Sequence, residues 1–176
     1  MTGRTHLLAG VAAGAALLCS QGLGPVAPVQ LAAVGAAACL GALLPDLDHP
    51  QSLLSRKAGP VGAVPGLFLR HRGPTHSLAA ALATWAGASW LCAAQGLPHA
   101  AALAALAGYL SHLALDALTP GGVPLLWPLW GRRVGLPLVR TGSGLEGLAG
   151  LAILGALLWL AWRGPLPGVM LKWLRL

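Results

Sequence analysis

Five apolar runs divide this chain, at about Leu7 to Leu23, Val26 to Leu44, Ser77 to Ala94, His99 to Leu118 and Leu145 to Trp162. Each approaches the ~20 residues an α-helix needs to cross the hydrocarbon of a bilayer. Charged residues make up 9% of the chain, against roughly a quarter in soluble domains, so nothing is left over for a soluble module. The expectation is an all-α fold, a polytopic membrane bundle of about five transmembrane helices forming one domain over residues 1–176. The runs are rich in Ala and Gly, which lets helix backbones approach closely inside a membrane.

The ends of the chain and its cysteines fit the same picture. Arg4 ahead of an apolar run, with Cys19 at its end, has the outline of a lipoprotein signal, but Leu18 stands where the cleaving enzyme wants a small residue. The segment is therefore expected to be a mature helix. Cys19, Cys39 and Cys92 are widely spaced within apolar runs, as small core residues are. Two longer loops, Pro45 to Gly73 and Thr119 to Ser143, are expected to be re-entrant or interfacial, with a short helix at Pro65 to Leu69 and with Trp127 and Trp130 at headgroup level. The tail from Pro165, with Lys172 and Trp173 as anchors, is too short to span.

Direction alternates from run to run, and the alternation gathers the chemistry. His6 precedes the first run; Asp46, Asp48 and His49 follow the second; His71 and His76 precede the third; His112 and Asp116 close the fourth; Glu146 opens the fifth. Every acidic residue and five of the six histidines thus fall at one face, and His99 alone at the other. His112 and Asp116, four apart, share a helix face, and a carboxylate buried in apolar surroundings demands a partner. Imidazoles with carboxylates suit zinc, with manganese or iron as alternatives. His6, Asp46, Asp48, His49, His71, His76, His112 and Asp116 are accordingly the candidate ligands, enough for one or two divalent ions. Asp46 and Asp48, two apart beside prolines, are expected to divide between a ligand and a supporting partner or base.

Cations flank the same face. Arg4, Arg56, Lys57, Arg70, Arg72, Arg132, Arg133 and Arg140 lie there, against Arg163, Lys172 and Arg175 opposite. By the positive-inside rule the site face is cytoplasmic, the N-terminus inside and the C-terminus outside. The net charge of +7 is spread over loops, which suits anionic headgroups and gives no basic stripe for nucleic acid. In Arg140-Thr-Gly-Ser-Gly-Leu-Glu146, the Gly-Ser-Gly backbone could hold a phosphate beside Arg140, or Ser143 and Glu146 could form an ordinary capping box. No Gly-x-Ser-x-Gly elbow, His-Glu-x-x-His helix or Gly-Lys-Ser/Thr phosphate loop is present, which disfavours serine hydrolases, zincin proteases and nucleotide phosphohydrolases.

Taken together, Thr5-His6, Pro45-Asp-Leu-Asp-His-Pro50, His71-Arg-Gly-Pro-Thr-His-Ser77, Ser111-His-Leu-Ala-Leu-Asp116 with Thr119-Pro-Gly-Gly122, and Gly142-Ser-Gly-Leu-Glu146 resemble the YdjM-like family, inner-membrane proteins described as metal-dependent hydrolases and as LexA-binding. The resemblance implies a helical inner-membrane hydrolase. The His-x-x-x-Asp element is also similar, more faintly, to that of zinc-dependent phospholipase C.

These readings converge on a metal-dependent hydrolase meeting a membrane lipid or other amphiphilic substrate, a phosphoester before a carboxylic ester. Asp48, Glu146, Arg72 and Arg140 are the expected catalytic residues, and Arg70, Arg72, Arg140 and Ser143 the expected substrate contacts. The rivals are a scaffold that binds a regulatory protein partner around a structural metal, and a metal transporter. Transport sites usually lie at the bilayer midplane, and these groups lie at the ends of the runs.

Overall fold

A computed structural model describes residues 1–20, 28–49, 52, 55–56 and 72–163, with side chains of the last helix as far as residue 160. The expected helix at residues 65–69 and the tail from residue 165 lie outside the described residues, as do Arg70 and His71. Among the described residues the chain is all-α. Its five helices are α1 (Gly3–Ser20), α2 (Pro28–Leu43), α3 (Leu78–Gln95), α4 (His99–Ala117) and α5 (Gly144–Arg163), with 3-10 turns at Leu44–Asp48 and Pro74–His76. Two segments are long and apolar enough to cross a membrane, Pro28–Asp48 and His99–Ala117, and Gly144–Leu160 is a shorter apolar helix. α1 and α3 have eighteen residues each, but Arg4, Thr5 and His6 dilute the apolar character of α1, and Thr84, Ser89 and two tryptophans that of α3.

The sequence explains where the helices stop. Pro28 opens α2, where its fixed φ suits a first turn, and Pro45 disfavours the α conformation at Leu44, so α2 tightens into the 3-10 turn. Ser77 caps α3 by accepting from the Ala80 N–H at 3.2 Å, and Gly96 ends the helix at φ 65°, in the left-handed region. One boundary differs from the expectation. α1 begins at Gly3, four residues before the apolar run, so His6 lies inside the helix. The donors Thr2 and Thr5 find a buried acceptor in Glu146 of α5, and this draws the polar start of α1 into the bundle.

α4 is central, packing on α1, α2 and α3, while α5 lies against α1. Small residues set the spacing. Ala38 and Ala42 of α2 and Ala102 and Ala104 of α4 are fully buried. A Cβ on Gly108 would stand 2.1 Å from the Ala38 carbonyl oxygen, and one on Gly41 would stand 2.0 Å from that of Ala105. Backbone meets backbone here, so Gly108→Val must force α2 and α4 apart. The expected cost is about 1–3 kcal/mol, seen as a lower melting temperature in detergent; an unchanged melt would contradict this packing. Large apolar side chains face outward, including Trp90, Leu148, Leu151 and Leu158, as they do where lipid is the solvent.

The loop between α4 and α5 contributes one antiparallel bridge, Val123 to Val134, and holds Trp127, Leu129 and Trp130 exposed. The three described cysteines are free, each buried or half-buried.

Candidate metal centre

α1 supplies His6, the turn after α2 supplies Asp46 and Asp48, the turn before α3 supplies His76, and α4 supplies His112 and Asp116. The side chains of His6, His76 and His112 are fully buried, Asp116 is 2% exposed and Asp46 is 16% exposed. The cluster therefore opens beside Asp46. Two sets of three ligand atoms lie within 4.8 Å of one another, His6 with Asp46 and His112, and His76 with His112 and Asp116.

The separations suit ligands of one ion better than they suit hydrogen bonds. His112 Nε2 is 3.6 Å from Asp46 Oδ1 and 3.8 Å from Asp116 Oδ2, and His76 Nε2 is 3.8 and 3.7 Å from the same two carboxylates. These exceed hydrogen-bonding range, whereas atoms each about 2.1 Å from a shared ion stand roughly 3–3.5 Å apart. His76 Nε2 and His112 Nε2 face each other at 3.3 Å, an arrangement that two lone pairs do not favour without a cation or a proton. The His6 ring stacks on His112 with centroids 3.6 Å apart, and neither of its nitrogens has a hydrogen-bond partner, although Nε2 lies 3.3 Å from Asp116 Oδ1. A buried imidazole without a partner is costly. The donor set thus fits a divalent transition metal.

The far sides of two rings are fixed. His112 Nδ1 lies 2.7 Å from the Ala42 carbonyl oxygen, to which it donates, so Nε2 is left as an acceptor facing the cluster. His76 Nδ1 lies 3.3 Å from Asp48 Oδ2, and that oxygen also accepts from the Thr75 hydroxyl at 2.7 Å and the Arg72 N–H at 3.0 Å. The residues per 3-10 turn explain the split between Asp46 and Asp48: at three per turn, positions two apart point in different directions. Burial works against a charged imidazole at His76, but the carboxylates of Asp46 and Asp48 prevail and hold its pKa above the ordinary value. A proton on His76 competes with an ion, so metal affinity should fall as pH drops through this raised pKa. Titration calorimetry across that pKa checks it; an affinity flat with pH would remove His76 from the ligand set.

Arg72 locks the segment before α3 to the end of α4. Its guanidinium is 3.1 Å from Asp116 Oδ2 and donates to Thr119 Oγ1 at 2.8 Å, and Thr119 in turn donates to the Asp116 carbonyl. The Met1 amino group also donates to Asp116. Arg72 has φ 56°, a conformation that favours glycine. A Cβ on Gly121 would lie 2.2 Å from its Nη1, so Gly121 leaves room for the guanidinium.

Glu146 stands apart from the cluster. Its carboxylate accepts from the Thr2 N–H, the Thr5 hydroxyl at 2.8 Å and the Gly142 N–H at 2.6 Å, which ties α1 to the start of α5. Ser143 caps weakly, accepting from the Glu146 N–H at 3.4 Å. The Gly142 and Ser143 N–H groups, where a phosphate was expected, donate to Glu146 and to the Arg140 carbonyl. Arg140 is exposed, and His49 is half-buried and outside both sets of ligand atoms. Glu146→Ala leaves three donors unmatched and should cost about 1–3 kcal/mol, measured by thermal denaturation; no loss would contradict the tie.

Sequence reasoning missed Tyr109, whose hydroxyl donates to the Thr75 carbonyl, and the bridging role of Thr119. Tyr109 was legible as part of the 109, 112, 113, 116 stripe on the buried face of α4; nothing in the sequence marked Thr119 beyond its place in the Thr-Pro-Gly-Gly motif.

A helical bundle with apolar segments of membrane length and a buried His/Asp cluster at one end defines a membrane protein built around a candidate metal centre. The chain belongs to the YdjM inner membrane protein family, whose model matches residues 1–174. It is 38% identical to the inner membrane protein YdjM of Escherichia coli (strain K12) over 128 residues, 71% of this chain, and matches the Shigella flexneri protein of the same name equally well. The match covers 63% of the length of those two relatives. It is also 38% identical to the Bacillus subtilis (strain 168) protein YvsG, named as uncharacterized, over 87% of this chain and 91% of that one. No solved structure matches the chain.

Proposed function

We propose that this protein is a metal-dependent hydrolase of the inner membrane that acts on a phosphoester of a lipid or other amphiphile at the cytoplasmic interface. The observation that carries this reading is the convergence of three buried imidazoles with Asp46 and Asp116, beside the guanidinium of Arg72, at one end of the bundle. All five helices cross the bilayer in this proposal, with the cluster at the cytoplasmic ends, as the distribution of Lys and Arg favours.

His6, His76, His112, Asp46 and Asp116 would hold the ion. The two sets of ligand atoms share His112 Nε2, which has a single lone pair, so we favour one ion, and zinc by its liking for nitrogen and oxygen donors. A divalent ion there supplies Lewis acidity and a water of lowered pKa. Asp48 holds His76 in the tautomer that presents Nε2. Arg72 keeps positive charge at the rim for non-bridging phosphoryl oxygens. Asp46, the most exposed carboxylate of the set, would serve as the base that takes a proton from water reaching the cluster. Glu146, saturated by three donors, serves by placing α1 and with it His6.

The test is a phospholipid panel offered to detergent-solubilised protein with zinc or manganese, with Asp116→Asn as control. Release of phosphate or phospho-headgroup that requires Asp116 is the expected result. Release of fatty acid alone would replace the reading by a carboxylic-ester hydrolase, and equal activity in the control would remove catalysis from this site.

A further inference from the structure

Two guanidiniums meet at Gly121, an exposed glycine a few residues past the end of α4. That of Arg72 lies on its Cα side, with Nη1 2.2 Å from where a Cβ would stand. That of Arg133 lies on its carbonyl side, with Nη1 3.5 Å from the Gly121 oxygen and Nη2 3.4 Å from the Arg72 carbonyl oxygen. The loop brings Arg133 there. Its neighbour Val134 pairs with Val123 through two backbone hydrogen bonds of 2.9 Å, and Val123 follows Gly121 by two residues. Among the described residues Arg132, one position earlier and exposed, makes no contact of this kind.

The pair continues the cluster outward. Arg72 Nη2 is 3.1 Å from Asp116 Oδ2, the oxygen that faces the Nε2 atoms of His76 and His112. Asp116, Arg72, Gly121 and Arg133 thus form an unbroken path from the buried imidazoles to the surface. The left-handed φ of Arg72 is one that persists only where the surroundings over-determine it, and Asp48 holds its N–H while Arg133 donates to its carbonyl.

The donors decide the ligand. A guanidinium carries five N–H donors in a rigid fork. Arg72 engages two, on Asp116 and Thr119, and Arg133 two, on carbonyls alone, which leaves three on each. Such a fork takes the edge between two phosphoryl oxygens. Two forks approaching from different sides need two edges, which the three terminal oxygens of a phosphomonoester provide and the two of a diester do not. We propose that Arg133 is a specificity-determining residue which, with Arg72, receives the dianionic head of a phosphomonoester at Gly121; the ester half of this inference rests on the hydrolase reading, the dianion half on the two guanidiniums alone.

The experiment is titration calorimetry on the full, zinc-loaded protein in a non-ionic detergent. Its probes are hexylphosphonate, above its second pKa, with three terminal oxygens and two charges, and hexyl(methyl)phosphinate, with two oxygens and one charge; neither holds a bond to hydrolyse. The wild type is expected to bind the phosphonate about tenfold more tightly than the phosphinate, and Arg133→Gln to lose that preference through the phosphonate alone. Arg132→Gln removes the same charge one residue away and should leave both affinities as in wild type. An equal fall for both probes in Arg133→Gln would make Arg133 a strap for its loop and overturn the proposal, as would a preference that survives the substitution or falls equally in Arg132→Gln. Phosphate release from hexyl phosphate by the same protein is followed alongside: no release, with a preference that needs Arg133, removes the hydrolase and keeps the dianion site, and release with a preference indifferent to Arg133 does the reverse.

Discussion

His112→Ala is expected to empty the centre. His112 Nε2 belongs to both sets of ligand atoms, and its ring carries the stacked His6, so the substitution removes one donor and frees a second. Changes in partners behind the ligands already cost 10–100-fold in metal affinity, and loss of the shared ligand should exceed that. Purified His112→Ala should retain less than about a tenth of the wild-type metal and show no metal-dependent phosphoester hydrolysis. The side chain is fully buried, so truncation also leaves a cavity and a lower melting temperature. His112→Gln, closer in volume, separates the effects: its melt should recover while its metal content does not. A His112→Gln protein with full metal content would place the ion elsewhere.

Asp48→Asn has the second largest expected effect, and acts without touching the ion. Asp48 Oδ2 accepts from Arg72 N and Thr75 Oγ1 and faces His76 Nδ1. An amide keeps the shape but offers one acceptor oxygen and one donor nitrogen. If the oxygen stays with Arg72 and Thr75, His76 loses the charged partner that fixes its tautomer. A 10–100-fold loss of metal affinity follows, with the stoichiometry at saturating metal preserved. Competition against a chromophoric chelator measures it. Loss of stoichiometry instead would make Asp48 a ligand, and unchanged affinity would leave it a purely structural group.

The contrast between Asp46 and Asp48 shows what was legible in the sequence and what was not. That both acids belong to one site followed from alternation: runs that reverse direction bring 46, 76, 112 and the start of α1 to one face, and His112 and Asp116 to one side of α4. Which acid faces the cluster did not follow. It depends on the turn after Leu43 being 3-10 and on the path of residues 72–77, a long-range matter. Glu146 is the sharper case. As an acid at the right face it was expected to take part in catalysis, and only the three-dimensional packing of α1 against α5 reveals that Thr2, Thr5 and Gly142 occupy its oxygens. Ser143 and Arg140 were expected to meet substrate for the same local reason, and their loop turns its N–H groups inward. The bounds of α2, α3, α4 and α5 were legible to within two residues because apolar length and flanking Gly and Pro fix them. The start of α1 was not, since its polar first turn is held by a partner 141 residues away.

X-ray absorption at the zinc edge of protein purified from zinc-replete cells tests the central claim most directly. One ion per chain is predicted, with only nitrogen and oxygen neighbours at about 2.0–2.2 Å, several of them imidazoles, and with the signal lost in His112→Gln. Sulfur neighbours at about 2.3 Å, which would point to Cys19, Cys39 or Cys92, or no bound metal under replete conditions, would contradict it.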